Sequence, residues 1–484
     1  MAKSSSFRLP RRAFLASVGV GLAGIGAGAI VLEHKMAASI AERRKGRLYI
    51  VDHLRNRIVH AAPGDAEYPP AVVLKTSEAI SGYASKFVYR VGEPVELHFP
   101  VPGDQCASFR QGGCQYGDSI TLSSIGLGPG VYRCRYFVDG EIHEVVFSVI
   151  DPSQLPKVCL VYPTSTYQAY NTVGGESLYT VGTLETFRVS TLRPLGSTAP
   201  HHDPRRNFAH NLLNDMGVDF YAIDSVELHH NPGILDDADL VMLAQHDEYW
   251  SWEMRQALEV HLRHGGNLLC LAGNVMFWKV KFLDDDVAIQ KISQTPRDGE
   301  IETWTGRWDR IRPEEQTIGL AWRFAGYPVK REFETYEAFA AEFSSDVMSR
   351  SEYDDSDGLR VLEPEHAVFS GTGLGKHDLF GQRSRLLDVE VDGLPLTDEL
   401  TINSARAPLA PPGIRPLTYG FAARVSGIRR VTTMVDFRFE GKGRVLNFGS
   451  VGWVRSAHEP GGEVVAKVSR NAVELLLSEP KTTT

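Results

Sequence analysis

The run Leu240-Val-Met-Leu-Ala244 has the length and character of a buried strand, and after Gln245 it ends abruptly in His246-Asp247-Glu248. Tyr249-Trp250-Ser251 follows, and a helix pattern starts at once. In an open α/β sheet, ligands bind in the crevice outside the carboxyl ends of the strands. The triad falls on such an end. An imidazole and two carboxylates this close together are unfavourable to bury without a partner. They point to metal binding or acid–base chemistry rather than packing.

The surrounding chain sets that strand in a repeating pattern. Val158-Cys-Leu-Val-Tyr162 reads as a first buried strand, and residues 163–200 as a long polar loop. Asp203-Pro204 is a cap and first-turn pair. It opens a helix in which Phe208, Leu212, Leu213 and Met216 share a face, closed by Gly217. Residues 218–223 form the next strand. Ser251 caps a helix to about His264, Gly265-Gly266 ends it, and 267–272 is another strand. This order predicts an α/β domain over residues 155–480 with a doubly wound, mainly parallel sheet. Residues 285–410 are irregular and rich in Trp, Arg and acids, which reads as long insertions, with more β structure plausible at the recurring glycine and aspartate turns. A late strand at 444–448 and a helix at 466–477 close the pattern, and Asp284-Asp285-Asp286 reads as a solvated face.

Ahead of this lies a different texture. Val91-Gly-Glu-Pro-Val-Glu-Leu-His-Phe99 and Gly130-Val-Tyr-Arg-Cys-Arg-Tyr-Phe-Val138 alternate apolar and polar residues, and Asp139-Gly140 is a hairpin turn. Residues 46–150 are therefore expected to form a small β-sandwich, joined to the rest by Asp151-Pro152-Ser-Gln-Leu-Pro156.

The 484 residues suit two domains plus a leader, and 43% apolar with 23% charged residues describes a soluble globular protein. A net charge of −9, with no basic stripe interleaved with aromatics, argues against a nucleic-acid partner. Residues 1–45 are set apart as a leader. Pro10-Arg11-Arg12-Ala13-Phe14-Leu15 places two arginines before an apolar, Gly-rich stretch, the pattern of a twin-arginine export signal to the periplasm. Retained, the same stretch would be a membrane tether, since 20 residues at ~1.5 Å each just cross a ~30 Å hydrocarbon core. Of five cysteines, Cys106 and Cys114 flank a Gly-Gly loop and suit a short disulfide, whereas Cys134, Cys159 and Cys270 read as buried thiols. Cys270 lies inside a strand, not on the sharp glycine-flanked elbow that a thiol nucleophile needs.

Three segments leave the carboxyl ends of expected parallel strands. They carry Tyr167, Tyr170, Asn171 and Tyr179; His246, Asp247 and Glu248; and Asn274. If the strands are neighbours, the three converge on one crevice. Phenolate and carboxylate oxygens are hard donors and suit a hard cation, ferric iron above all. Such an ion lowers the pKa of a tyrosine or a bound water and polarises a carbonyl. That combination serves hydrolysis of an unreactive amide. Plainer roles compete: His246 bonding a backbone carbonyl, Asp247 capping the following helix, Asn274 shaping a turn. The adjacent pairs His201-His202 and His229-His230 invite zinc, but neighbouring side chains usually diverge.

Tyr167-Gln-Ala-Tyr170-Asn171, Gly174-Gly175-Glu-Ser-Leu-Tyr179 and Val189-Ser-Thr-Leu-Arg193-Pro194 resemble the C-terminal region of the N,N-dimethylformamidase large subunit. So do His246-Asp-Glu-Tyr-Trp-Ser251 and Gly266-Asn-Leu-Leu-Cys-Leu-Ala-Gly-Asn274-Val-Met-Phe-Trp278, over roughly residues 155–460. The resemblance implies a sheet related to class I glutamine amidotransferases and a mononuclear ferric (Fe3+) site with two tyrosines and one glutamate. By position, Glu248 is the ligand glutamate, and Tyr170 and Tyr179 the phenolates, with Tyr167 competing for either place. His246 and Asn274 match residues that hold water or substrate, and Glu390, in Asp388-Val-Glu390-Val-Asp392-Gly393, matches a later catalytic glutamate. The expectation is an exported amidohydrolase acting on a small-molecule amide, with a homo-oligomer left open. Its rival is a binding module gripping a sugar or peptide in a crevice lined by Trp250, Trp252, Trp278, Trp304 and Trp308.

Overall fold

In a computed structural model of the chain, the described residues are 47–52, 57–61, 82–99, 118–122, 127–138, 141–173, 177–178, 187–195, 209–283, 288–291, 304–327, 332–334, 358–387, 390–425, 428–479 and 481. The leader, Cys106, Cys114, Tyr179, His201, His202, Asp203-Pro204 and the triple-aspartate run lie outside them. Among the described residues no helix is long and apolar enough to cross a membrane.

The site is organised by a seven-stranded sheet. Its strands are β1 (Val158–Tyr162), β2 (Phe220–Asp224), β3 (Leu240–His246), β4 (Asn267–Gly273), β5 (Arg415–Pro416), β6 (Val435–Arg438) and β7 (Arg444–Asn447), in the order β2-β1-β3-β4-β7-β6-β5. The first five in that order run parallel; β6 and β5 join through antiparallel pairs. Every residue of β1, β3 and β4 is buried, which is why they appear as continuous apolar runs. Alternate side chains feed two cores. Val161, Val241, Leu243 and Leu268 pack with Met254, Leu258 and Leu262 of helix α4 (Trp252–Arg263). Leu160, Met242, Ala244 and Leu269 meet Leu212 and Leu213 of α2 (Ala209–Asp215) and Val465, Val468 and Leu476 of α5 (Glu463–Leu477). Ser251 caps α4, its hydroxyl accepting from the Met254 amide at 3.2 Å. Gly266 ends it in a space where a Cβ would overlap the His261 ring.

The expected fold class, a doubly wound, mainly parallel sheet, does not describe this chain. The architecture is mixed and strand-rich, with several antiparallel sheets and few helices. The strand–helix alternation stops at β4. Instead of a crossover helix leading to the next parallel strand, the chain makes an excursion of short strands and returns only at β5 to β7. Much of that excursion forms a second sheet, in the order Ala321–Gly326, Val391–Gly393, Ile428–Thr432, Thr418–Val425, Leu359–Val361, Leu379–Phe380. Its pairs are antiparallel apart from Glu332–Phe333 beside Thr418–Val425. A parallel connection needs a dozen or more residues, usually helical, whereas antiparallel strands need only turns. Near the N-terminus, Gly130–Val138 and Glu141–Ile150 pair as a long antiparallel hairpin in a five-stranded sheet.

The long loop expected over 163–200 is also corrected. It contains helix α1 (Thr164–Tyr170) and a strand, Phe187–Ser190, paired with Ala288–Lys291. Helix α1 follows Pro163 and has no side-chain cap. Contacts to distant segments hold it. The Thr166 hydroxyl accepts from the amides of Glu248 (2.9 Å) and Tyr249 (3.1 Å), and Ser165 donates to the Tyr249 carbonyl at 2.6 Å.

Candidate active site

The ends of β3 and β4 lie side by side, with Gln245 opposite Ala272 and His246 opposite Gly273. There the backbone leaves ordinary strand geometry. Gln245 (φ 71°), Asn274 (φ 49°) and Met276 (φ 60°) are all left-handed. Such conformations are unfavourable for residues other than glycine and persist where the surroundings over-determine them. Gly273 explains part of the constraint. A Cβ there would lie 2.5 Å from the Val451 amide nitrogen and 2.9 Å from the Glu390 carbonyl oxygen. Only glycine lets the Glu390 segment close over the strand end, where Val451 N donates to Glu390 O at 3.1 Å.

Four segments thus meet. The Tyr170 hydroxyl, from the end of α1, donates to Glu248 Oε2 at 2.7 Å. His246 Nε2 lies 2.9 Å from Glu390 Oε2 and 3.6 Å from Glu248 Oε2. Asn274 Nδ2 donates to Glu390 Oε2 at 2.9 Å, while its buried Oδ1 has no partner among the described residues. Asp392 braces the turn beneath, accepting from the amides of Asn274 (3.0 Å) and Val275 (3.3 Å). His246, Glu248, Asn274, Glu390 and Asp392 are buried; Tyr170 is half-buried.

Burial and mutual charge divide these groups. Burial alone would push His246 down, but its bond to Glu390 and the charges of Glu390, Glu248 and Asp392 outweigh it and raise its pKa. Glu390 is the complement. Burial pushes it up, yet the bond and charge of His246, with bonds from Asn274 and Tyr327, bring it below the ordinary glutamate value. The two form an ion pair. Burial raises Glu248 to about 7, with His246 holding it down and Glu390 adding to the rise. Burial takes Asp392 to about 8 and Asp247 to about 7. Tyr170 is raised well above its usual value by burial and then by Glu248 and Glu390. The site therefore has more buried acceptor oxygen than cation.

The family model for the C-terminal region of N,N-dimethylformamidase beta subunit-like proteins matches residues 113–463. The chain belongs to this family. No curated protein matches it. The match begins well ahead of residue 155, so the dimethylformamidase-like region takes in the hairpin 130–150 as well as the central sheet.

Within this dimethylformamidase-like chain, Tyr170, His246, Glu248, Asn274 and Glu390 come together; Tyr179 lies outside the described residues. Tyr167 faces elsewhere, its hydroxyl bonding the Gln245 side chain and its ring joining the core that includes α5. Asn171 bonds Gln168 and the Pro194 carbonyl. Asp247 does not cap α4. It is buried and accepts from Trp250 Nε1 at 2.9 Å, leaving the cap to Ser251. His229, on α3 (Ser225–His230), contacts Ser251 Oγ at 2.8 Å, and its ring meets that of His230 edge-on. Of the tryptophans offered as crevice lining, Trp250, Trp304 and Trp308 are buried, which weakens the binding-module reading. Asn274, matched to a residue that holds water or substrate, has both donors and an acceptor in its side chain. One of its two Nδ2 N–H donors goes to Glu390, and its Oδ1 adds an acceptor.

Sequence reasoning missed Asp392, Lys291 and Tyr327. Asp392 had a signal, because it stands two residues after Glu390 in an extended run and so shares its side. Lys291 had none. Burial lowers its pKa to about 8 while Glu248 raises it, and its ammonium donates to the Leu178 carbonyl at 3.2 Å.

Among the described residues no group of three or more His, Cys, Asp and Glu is disposed to hold a metal. The donors that a hard cation prefers are nevertheless present as a pair. The Tyr170–Glu248 contact of 2.7 Å is a hydrogen bond, and the phenol and carboxylate oxygens that it joins are of the hard donor type that a ferric ion takes.

Proposed function

We propose that this protein hydrolyses the C–N bond of a small-molecule amide, with a ferric ion held by Tyr170, Glu248 and a second tyrosine, for which Tyr179 is the candidate. The observation that carries this reading is the phenol–carboxylate contact of Tyr170 and Glu248 beside the His246–Glu390 ion pair. A bound ferric ion would supply Lewis acidity and lower the pKa of water.

The chain's own residues account for the protons. Hydrolysis adds the oxygen of water to the acyl carbon and delivers a proton to the departing nitrogen. We assign that delivery to His246, whose raised pKa keeps a proton available beside Glu390. Glu390 takes up the proton that water gives. Asn274 Oδ1 suits an O–H or N–H donor, and so would orient the attacking water. The twin-arginine-like leader supports export of the folded protein, with its ion inserted beforehand.

The test is metal analysis of the purified full-length protein alongside hydrolysis of N,N-dimethylformamide. About one iron per chain, a visible absorption band from phenolate ligation and loss of turnover on chelation are expected. An iron-free, colourless protein with undiminished amidase activity would remove the metal from the proposal.

A further inference from the structure

The ionisable groups form only half of the site's rim. From Glu390, a continuous run of aromatic contacts leads round to Glu248. Tyr327 bonds the Glu390 carboxylate, and its ring meets Trp322 edge-on at 5.6 Å. Trp322 meets Phe277 at 5.3 Å, and Phe277 meets Trp278 at 5.1 Å, both T-shaped. The Lys291 ammonium then lies 3.7 Å over the Trp278 ring while its charge acts on Glu248. His246, between the two carboxylates, closes the circuit.

Exposure divides in nearly the same way, although Trp322 is buried. His246, Glu248, Asn274 and Glu390 are buried, whereas Tyr170, Phe277, Trp278 and Tyr327 are each partly exposed. Partly exposed ring surface therefore adjoins the buried carboxylates. The rings come from two separate segments, the turn after β4 and the strand Ala321–Gly326 with its following residue, and pack into one wall that reaches Glu390 through Tyr327 and Lys291 through Trp278. Aromatic rings hold a flat apolar partner by offset or edge-to-face contact in addition to its transfer from water. A methyl group covers little of such a wall.

Resting on the amide-hydrolase reading of this site, we infer that the aromatic rim recognises the substituent of the amide. The preferred substrate class is then an amide bearing an aromatic ring or similarly flat apolar group, not the smallest aliphatic amides. Phe277 is the specificity-determining residue to probe, because it sits mid-wall and touches none of the ionisable groups of the site.

The experiment pairs binding with turnover on the full chain. By calorimetry, benzamide should bind about tenfold more tightly than acetamide, and Phe277→Ala should reduce that ratio to about twofold. In turnover, formanilide should exceed formamide in kcat/KM by a similar factor, again reduced by Phe277→Ala. If Phe277→Ala does not fold, Phe277→Leu removes the ring while keeping volume. Equal affinity for benzamide and acetamide, or a ratio indifferent to both variants, overturns the inference. The two readings fail separately. Hydrolysis of formamide and formanilide at equal efficiency sinks the rim and leaves the hydrolase. Ring-dependent benzamide binding with no amide hydrolysed sinks the hydrolase and leaves the rim as an aromatic-amide binding surface.

Discussion

Two buried clusters of charge lie beside the same sheet, and they are built on opposite principles. Around α4, Glu259 is fully buried, and both its oxygens are taken. Oε1 accepts from Arg255 Nε (3.2 Å) and Thr317 Oγ1 (2.5 Å); Oε2 accepts from Arg263 (3.2 Å) and from Arg312. Arg255 in turn donates to the carbonyls of Arg312 and Pro313 and stacks 4.6 Å over the Trp308 ring. At the strand ends, buried Asp247, Glu248, Glu390 and Asp392 face His246 and Lys291, an amide oxygen is left without a partner, and the backbone is left-handed at three places. The charged groups of the first cluster are saturated and join helix to loop. The second keeps acceptor capacity in reserve, as a site that takes in a cation or a substrate must. Burial alone does not separate structural charge from functional charge; satisfaction does.

Removing a charge should therefore have opposite consequences in the two places. Glu248→Gln is expected to reduce amide turnover by about a thousandfold or more, as loss of a charge-stabilising group typically does. The same change should leave the melting temperature of metal-free protein unchanged or raised, because it removes a carboxylate that burial disfavours. A large fall in melting temperature with turnover intact would put Glu248 in the structural class. Arg255→Ala should do the reverse. It leaves Glu259 buried with fewer partners, a change that costs about 3–5 kcal/mol in denaturant unfolding. Any iron bound per folded molecule should stay the same.

How much of this could be read from the chain follows from the same physics. Strand β1 has the bounds that its apolar run suggested, and Ser251 caps α4 as its place before the helix pattern implied. His246, Glu248 and Asn274 were legible because strand ends announce themselves as abrupt changes from apolar to polar. The overall fold class was not legible. Strands such as Val391–Gly393 and Leu359–Val361 are too short to show a period, and partners far along the chain fix their pairing. Helix α1 was invisible for a related reason, since what holds it is Thr166 reaching Glu248, 82 residues on. Tyr167 and Tyr170 are equivalent by composition and spacing. Only the direction of each hydroxyl, to Gln245 or to Glu248, tells them apart.

A smaller effect probes the close approach beneath the strained strand ends. Gly273→Ala would press a methyl against the Val451 amide and the Glu390 carbonyl. Overpacking of this kind costs about 1–3 kcal/mol. Here the displaced segment carries Glu390, so turnover should fall more than stability. Equal tolerance at Gly273 and at exposed Gly128, where a Cβ meets nothing within 4 Å, would mean that the close approach does not matter.

The last contrast is in pH. Burial raises Asp392 to about 8 in the folded protein, against about 3.9 for an aspartate in an unfolded chain. Between these values the folded state binds the extra proton, so this residue's contribution to stability is present below about pH 4 and is lost as pH rises toward 8. The slope is about 1.4 kcal/mol per pH unit for one proton. Asp392→Asn removes the titration while keeping one acceptor for the amides of Asn274 and Val275, at a loss of about 1 kcal/mol for the other. Denaturant unfolding of metal-free protein from pH 4 to 8 should show wild-type stability falling relative to Asp392→Asn. A pH-independent gap between the two would show that Asp392 is as well satisfied as Glu259, and the distinction between the clusters would no longer hold at that position.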